Sequence, residues 1–118
     1  MIEEPENSKL YILIRETIWR DHPGLAICGV AHAAMAAYVM WEENTDFQLW
    51  KENSWKKVVC TVDNDQWQQA AEKFDRKEAI IMTESAIKGQ ETVMVVHPVH
   101  WQSGFLNRLK LFTIENPF

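Results

Sequence analysis

A chain of 118 residues, 47% apolar and 25% charged, has the length of one domain and enough apolar material for a core without disulfides or metal. Its net charge of −5 argues against a generic nucleic-acid binder, which carries a basic face. Its two cysteines, Cys28 and Cys60, have no CxxC partner and point to reduced thiols in the cytoplasm.

The opening MIEEPENSK is acidic and polar. It lacks the basic start and apolar core of a signal peptide, so residues 1–8 read as a polar tail. KLYILIR (9–15) is short, β-branched and aromatic, and predicts a buried strand. ETIWRDHPG (16–24) predicts a loop punctuated by Pro23 and Gly24, with Pro23 suited to the first turn of a following helix. From 25 to 43 the alanine-rich composition is helical. The apolar part, 25–40, falls short of the roughly 18–20 residues that cross a bilayer, which predicts a buried helix in a soluble protein.

Residues 44–53 predict a second helix, capped by Asn44 or Thr45, with Phe47 and Trp50 on one face. WKKVVCTV (55–62) predicts a second strand. DNDQWQQAAEKF (63–74) is amphipathic, with Trp67, Ala70, Ala71 and Phe74 on one face and Asp63 or Asn64 as cap. EAIIMTE (78–84) predicts a third strand, 85–91 a connector turning at Gly89, and TVMVVHP (92–98) a fourth strand stopped by Pro98. Residues 99–112 begin as a short helix or turn and can end extended. The order predicts an α/β fold: a mixed four-stranded sheet with helices on both faces. Strands joined through helices run parallel, and the last two run antiparallel.

His32 stands within an alanine run and has three readings: a neutral histidine bonded to backbone or water, a residue shaping a cleft, or a metal ligand or general base. The first is the default, and the alanines themselves read as packing. Cys28 and His32 are four apart and share a helix face, a spacing that can activate a thiolate or hold half a metal site. His97 and His100 bracket Pro98 without regular spacing. The six tryptophans fit core edges, whereas an exposed group of them would mark a binding surface. Arg15 with Arg20, and Lys51 with Lys56 and Lys57, read as solvated clusters.

The stretch LYILIRETIWRDHPGLAICGVAHAAMAAY, with KKVVCTV after a short helix, resembles the type-II peptidyl-tRNA hydrolases of archaea and eukaryotes. In that family a strand ending in arginine leads through a loop to a helix opening Gly-Lys-x-Ala-Ala-Gln-x-x-His-Ala. Arg15, Gly24, His32 and Ala33 match, and KKVV matches the start of the second strand. The resemblance implies a mixed sheet between helices, and cleavage of the ester joining a peptide to the terminal ribose of tRNA without metal or cofactor. It also makes His32 part of a pattern, in a mostly buried place beside the cleft.

The departures fall on the chemistry. The family's lysine is Leu25 here and its glutamine is Gly29. Its acidic position falls on Ser85, followed by a matching Ala86, or on Glu84 after a one-residue shift. The connector is shortened to IKGQE, and Thr92 and Pro98 alone still fit that region. Leucine cannot donate to an oxyanion or phosphate as lysine does, and serine cannot serve as a carboxylate base. The expectation is therefore a diverged member acting as a binding or regulatory module. The alternative is an active aminoacyl- or peptidyl-tRNA ester hydrolase with a rebuilt site. Its candidate catalytic residues are Arg20, His22, His32, Glu84, Ser85 and Lys88. The candidate binding residues are Trp19, Arg20, His22, Gly24, Gly29, His32, Ser85 and Thr92. Expected partners are tRNA or a peptidyl-tRNA end, with a small molecule or a protein as the other options. No membrane, metal or cofactor is expected, and a homodimer through an apolar, tryptophan-bearing face stays open.

Overall fold

The buried run KLYILIR forms the central strand of the computed structural model, which describes residues 1–113. This strand, β1 (Lys9–Arg15), pairs in parallel with β2 (Lys56–Val62) and antiparallel with β4 (Gln90–Val96). β4 pairs antiparallel with β3 (Ala79–Glu84), and the sheet order is β3-β4-β1-β2-β5. A strand with neighbours on both sides and layers on both faces has no polar side, so its sequence does not alternate. Leu10, Ile12 and Ile14 join Val93 and Val95 in one core layer, while Tyr11 and Leu13 join Cys60, Val62, Met94 and Val96 in the other.

The sheet has five strands where four were expected. β5 (Lys110–Leu111) pairs antiparallel with β2 at Thr61 and Cys60. Two residues at a sheet edge are too few for a period-two signal.

Residues 16–24 are not the expected loop. Glu16–Asp21 forms α1, with Ile18 alone buried, which is too little apolar pattern to read as a helix face. His22 breaks the chain between helices, and Pro23 takes the first turn of α2 (Pro23–Trp41), the position where its missing N–H costs nothing. α3 (Thr45–Asn53) is capped by Asn44, whose side chain accepts the Phe47 N–H at 3.0 Å. α4 (Asn64–Lys73) opens with a capping box: Asp63 Oδ1 accepts the Gln66 N–H at 2.8 Å, and Gln66 Oε1 accepts the Asp63 N–H at 2.9 Å. α5 (Gly104–Asn107) is a single turn.

α2 and α3 pack on one face of the sheet, α4 and α5 on the other. Ala26, Gly29, Ala33 and Ala37 form the buried stripe of α2. At Gly29 a Cβ would lie 2.7 Å from Val93 Cγ2, so the absence of a side chain sets how closely α2 approaches β4. The expected buried helix is buried on this stripe only. Ile27, Met35, Val39 and Met40 are exposed, and by length and composition α2 passes for a membrane span, with 28% of the apolar window buried.

Residues 1–8, read as a polar tail, are docked. Ile2 is buried and its N–H donates to Asp46 Oδ1 at 2.7 Å, while Trp101 Nε1 donates to the Glu3 carbonyl at 2.9 Å. A lone isoleucine in a polar stretch has no periodicity to reveal it.

Candidate functional site

In open α/β sheets, ligands bind at the carboxyl ends of the parallel strands. Here that edge carries the end of β1 at Arg15, the end of β2 at Val62 and the start of β4. Arg15 Nη1 donates to the Glu91 carbonyl at 3.1 Å and Nη2 to Asn64 Oδ1 at 3.3 Å. The guanidinium lies 5.5 Å from the Trp67 ring centroid, and Trp67 Nε1 donates to Glu91 Oε1 at 3.0 Å. Arg15 Nε and Thr17 Oγ1 are buried without a hydrogen-bond partner. Among the described residues no carboxylate forms an ion pair with Arg15. An arginine with unspent donors suits a carboxylate or phosphate oxygen. The sequence pointed to Arg15 as a strand end; Thr17, Asn64, Trp67 and Glu91 gave no signal, because strand pairing and helix packing alone bring them together.

The other candidates lie more loosely. Trp19 is half-buried and stands edge-on to Phe112 at 4.6 Å. Arg20 is exposed and bonds its neighbour Asp21 at 3.3 Å. His22 and Gly24 are exposed, and nothing lies within 4 Å of a Cβ placed at Gly24. Glu84 Oε1 accepts the Ala86 N–H at 3.0 Å, capping the turn that holds exposed Ser85. Lys88 is exposed with φ 61°. Thr92 is buried and donates to the Met82 carbonyl at 3.3 Å. Among the described residues no hydrogen bond or ion pair joins Arg20 or His22 to Glu84, Ser85 or Lys88.

His32 corrects the expectation most plainly: it is exposed, on the face of α2 turned away from the sheet, with exposed Cys28 one turn earlier. Among the described residues no group of three or more His, Cys, Asp or Glu side chains is placed to hold a metal ion. His97 is buried beneath Trp41 and His100 bonds Glu78 at 3.0 Å, so the two serve separate contacts. Burial pushes the Cys60 thiol up to about 11, which keeps it protonated. The tryptophans form no exposed group: Trp41, Trp50 and Trp67 are buried, Trp19 and Trp101 partly so, and Trp55 is 51% exposed.

A mixed sheet crossed by a close-lying alanine helix, with Arg15 at the end of its central strand, defines an α/β protein. The chain belongs to the PTH2 family: the model for peptidyl-tRNA hydrolase PTH2 matches residues 8–111. Among curated proteins none matches it significantly.

Proposed function

We propose that this chain is a diverged PTH2-family protein that lacks the usual hydrolase site and acts as a binding or regulatory module. Its ligand sits at the Arg15 end of the sheet and presents an anionic group, such as a tRNA end. One observation carries the reading: Arg20 bonds its neighbour Asp21, Glu84 caps its own turn at Ala86, and among the described residues no hydrogen bond or ion pair links 19–22 to 84–88. Gly29 supports it, because Val93 occupies the space that a longer side chain there would need.

Cleavage of a peptidyl-tRNA by the purified protein is the test, beside an Arg20→Ala/Ser85→Ala double variant. No turnover by the folded wild type is expected. Turnover that the double variant loses would establish the second reading, an ester hydrolase with a rebuilt site. That reading draws on the Arg15 guanidinium, whose Nε has no hydrogen-bond partner and which suits an oxyanion as well as a phosphate. If tRNA is bound, Arg15→Met weakens binding and lowers its salt dependence.

A cytoplasmic homodimer belongs to the same proposal. Between Leu25 and Trp41 α2 carries no Asp, Glu, Lys or Arg, and an outer helix face without charge is normally covered. Sedimentation velocity tests it, and a monomer at all concentrations removes it.

A further inference from the structure

We propose that the pocket between α2 and α3 is a second binding site, for a small flat aromatic molecule bearing one carboxylate. The pocket has a volume of about 260 Å³, and Leu10, Tyr38, Phe47, Trp50, Trp55 and Lys57 line it. It lies at the opposite end of β1 from Arg15, five residues away and so about 17 Å along the strand. It is therefore separate from the Arg15 ligand site proposed above, although Met35 and Tyr38 of its lining belong to the exposed face of α2.

Two features mark the pocket as built. The first is Trp55. The N–H groups of Ser54 and Trp55 both bond the Trp50 carbonyl at 2.9 Å, closing the end of α3, and Trp55 then turns with φ 65°. Glycine is the usual residue at such a helix end, and a bulky side chain there is a backbone outlier. The backbone at this position disfavours tryptophan. What tryptophan supplies is a wall: its ring stands 5.1 Å from that of Trp50 at an interplanar angle of 32° and is half exposed toward solvent. Strained residues of this kind concentrate at ligand clamps.

The second feature is charge. In a chain of net charge −5, a lysine, Lys57, lines the pocket and Lys51 stands by the lining residue Tyr38. Lys57 Nζ lies 3.5 Å from the Trp55 ring centroid and donates to the Trp55 carbonyl at 3.0 Å. Lys51 Nζ lies 5.4 Å from the Tyr38 centroid. Among the described residues neither is in an ion pair. An ammonium has three donors, so Lys57 keeps two for a ligand. Lys57 is exposed, and slight desolvation lowers it from the ordinary lysine value. Every other lining residue is aliphatic, aromatic or methionine. Such walls favour a flat apolar body, and the lysine orients one anionic group at the mouth.

The test is calorimetric titration of the full chain with 2-naphthoate and with its neutral counterpart 2-naphthamide. Naphthoate is expected to bind, with naphthamide weaker by at least about tenfold. Lys57→Met is expected to lose the same factor for naphthoate and to leave naphthamide unchanged. Trp55→Gly is the decisive variant, because glycine suits the backbone there: its thermal midpoint stays at or above that of the wild type while binding of both compounds is lost. Absence of naphthoate binding at about 1 mM overturns the proposal. Equal affinity for the two compounds, or indifference to Lys57→Met, overturns the anionic ligand class, and retained binding by Trp55→Gly overturns the location.

Discussion

His97 Nε2 lies 3.0 Å from Asn44 Oδ1, the same oxygen that caps α3 through the Phe47 N–H. The Val99 N–H donates to His97 Nδ1 at 3.0 Å, so Nδ1 is the acceptor and Nε2 carries the proton. One neutral imidazole thus ties the end of β4 to the start of α3.

That tie makes stability depend on pH. Burial pushes His97 down to about 4, against the opposing pull of Glu78 and Asp46 and with a smaller push from His100. A second ring proton would face the Val99 N–H, setting donor against donor. In the unfolded chain the imidazole titrates near its ordinary value of about 6.5. The unfolded state therefore binds more protons between the two values, and stability falls as pH is lowered from about 6.5 to about 4. The expected loss is about 3 kcal/mol. Urea unfolding at a series of pH values checks it, and His97→Gln flattens that limb of the curve. A slope unchanged in the variant refutes the assignment.

Gly29→Ala is expected to destabilise the protein. Alanine gains about 1 kcal/mol in a helix interior, but its Cβ would stand 2.7 Å from Val93 Cγ2 in a fully buried side chain. Overpacking of this kind costs about 1–3 kcal/mol, so the net effect is a loss of roughly 1 kcal/mol. Gly29→Gln loses more. A thermal midpoint equal to or above the wild type for Gly29→Ala would show that α2 can lift from β4 freely.

Asp63→Ala removes one half of the α4 capping box and leaves the Gln66 N–H without its partner. A loss of about 1 kcal/mol is expected. Asp63→Ser, which keeps an acceptor, should recover most of it in denaturant titration. Equal losses in both variants would show that the cap bond is not what holds the helix start.

The two thiols differ in access. Cys28 is exposed and Cys60 is buried in the β2 layer against Leu13 and Val62. Under native conditions a thiol reagent such as DTNB should modify one equivalent, lost in Cys28→Ser, and a second only after unfolding. Rapid native labelling of two equivalents would mean that the β5 edge of the sheet opens readily.

The match between expectation and structure follows the range of the forces involved. Asn44 and Asp63 cap the helices they precede because each cap is a bond across three residues. Phe47 with Trp50, and Trp67 with Ala70, fall inward because a helix pattern contrasts apolar with polar faces. α2 has no such contrast, so its pattern left the direction of His32 undetermined. The sheet settled it: of the several small residues of α2, Ala26, Gly29, Ala33 and Ala37 are the ones buried, and His32 is left outside.

The sequence by itself determined the α/β class, four of the strands, the long alanine helix and the family resemblance, and narrowed two helix caps to neighbouring pairs, since each is written in local composition or spacing. Tertiary structure alone decided the short edge strand at Lys110–Leu111, the docking of Ile2, the Arg15–Asn64–Glu91 cluster and the left-handed turn that makes Trp55 a pocket wall. These depend on contacts between segments tens of residues apart or on a backbone conformation that the residue disfavours, and neither leaves a periodic trace along the chain.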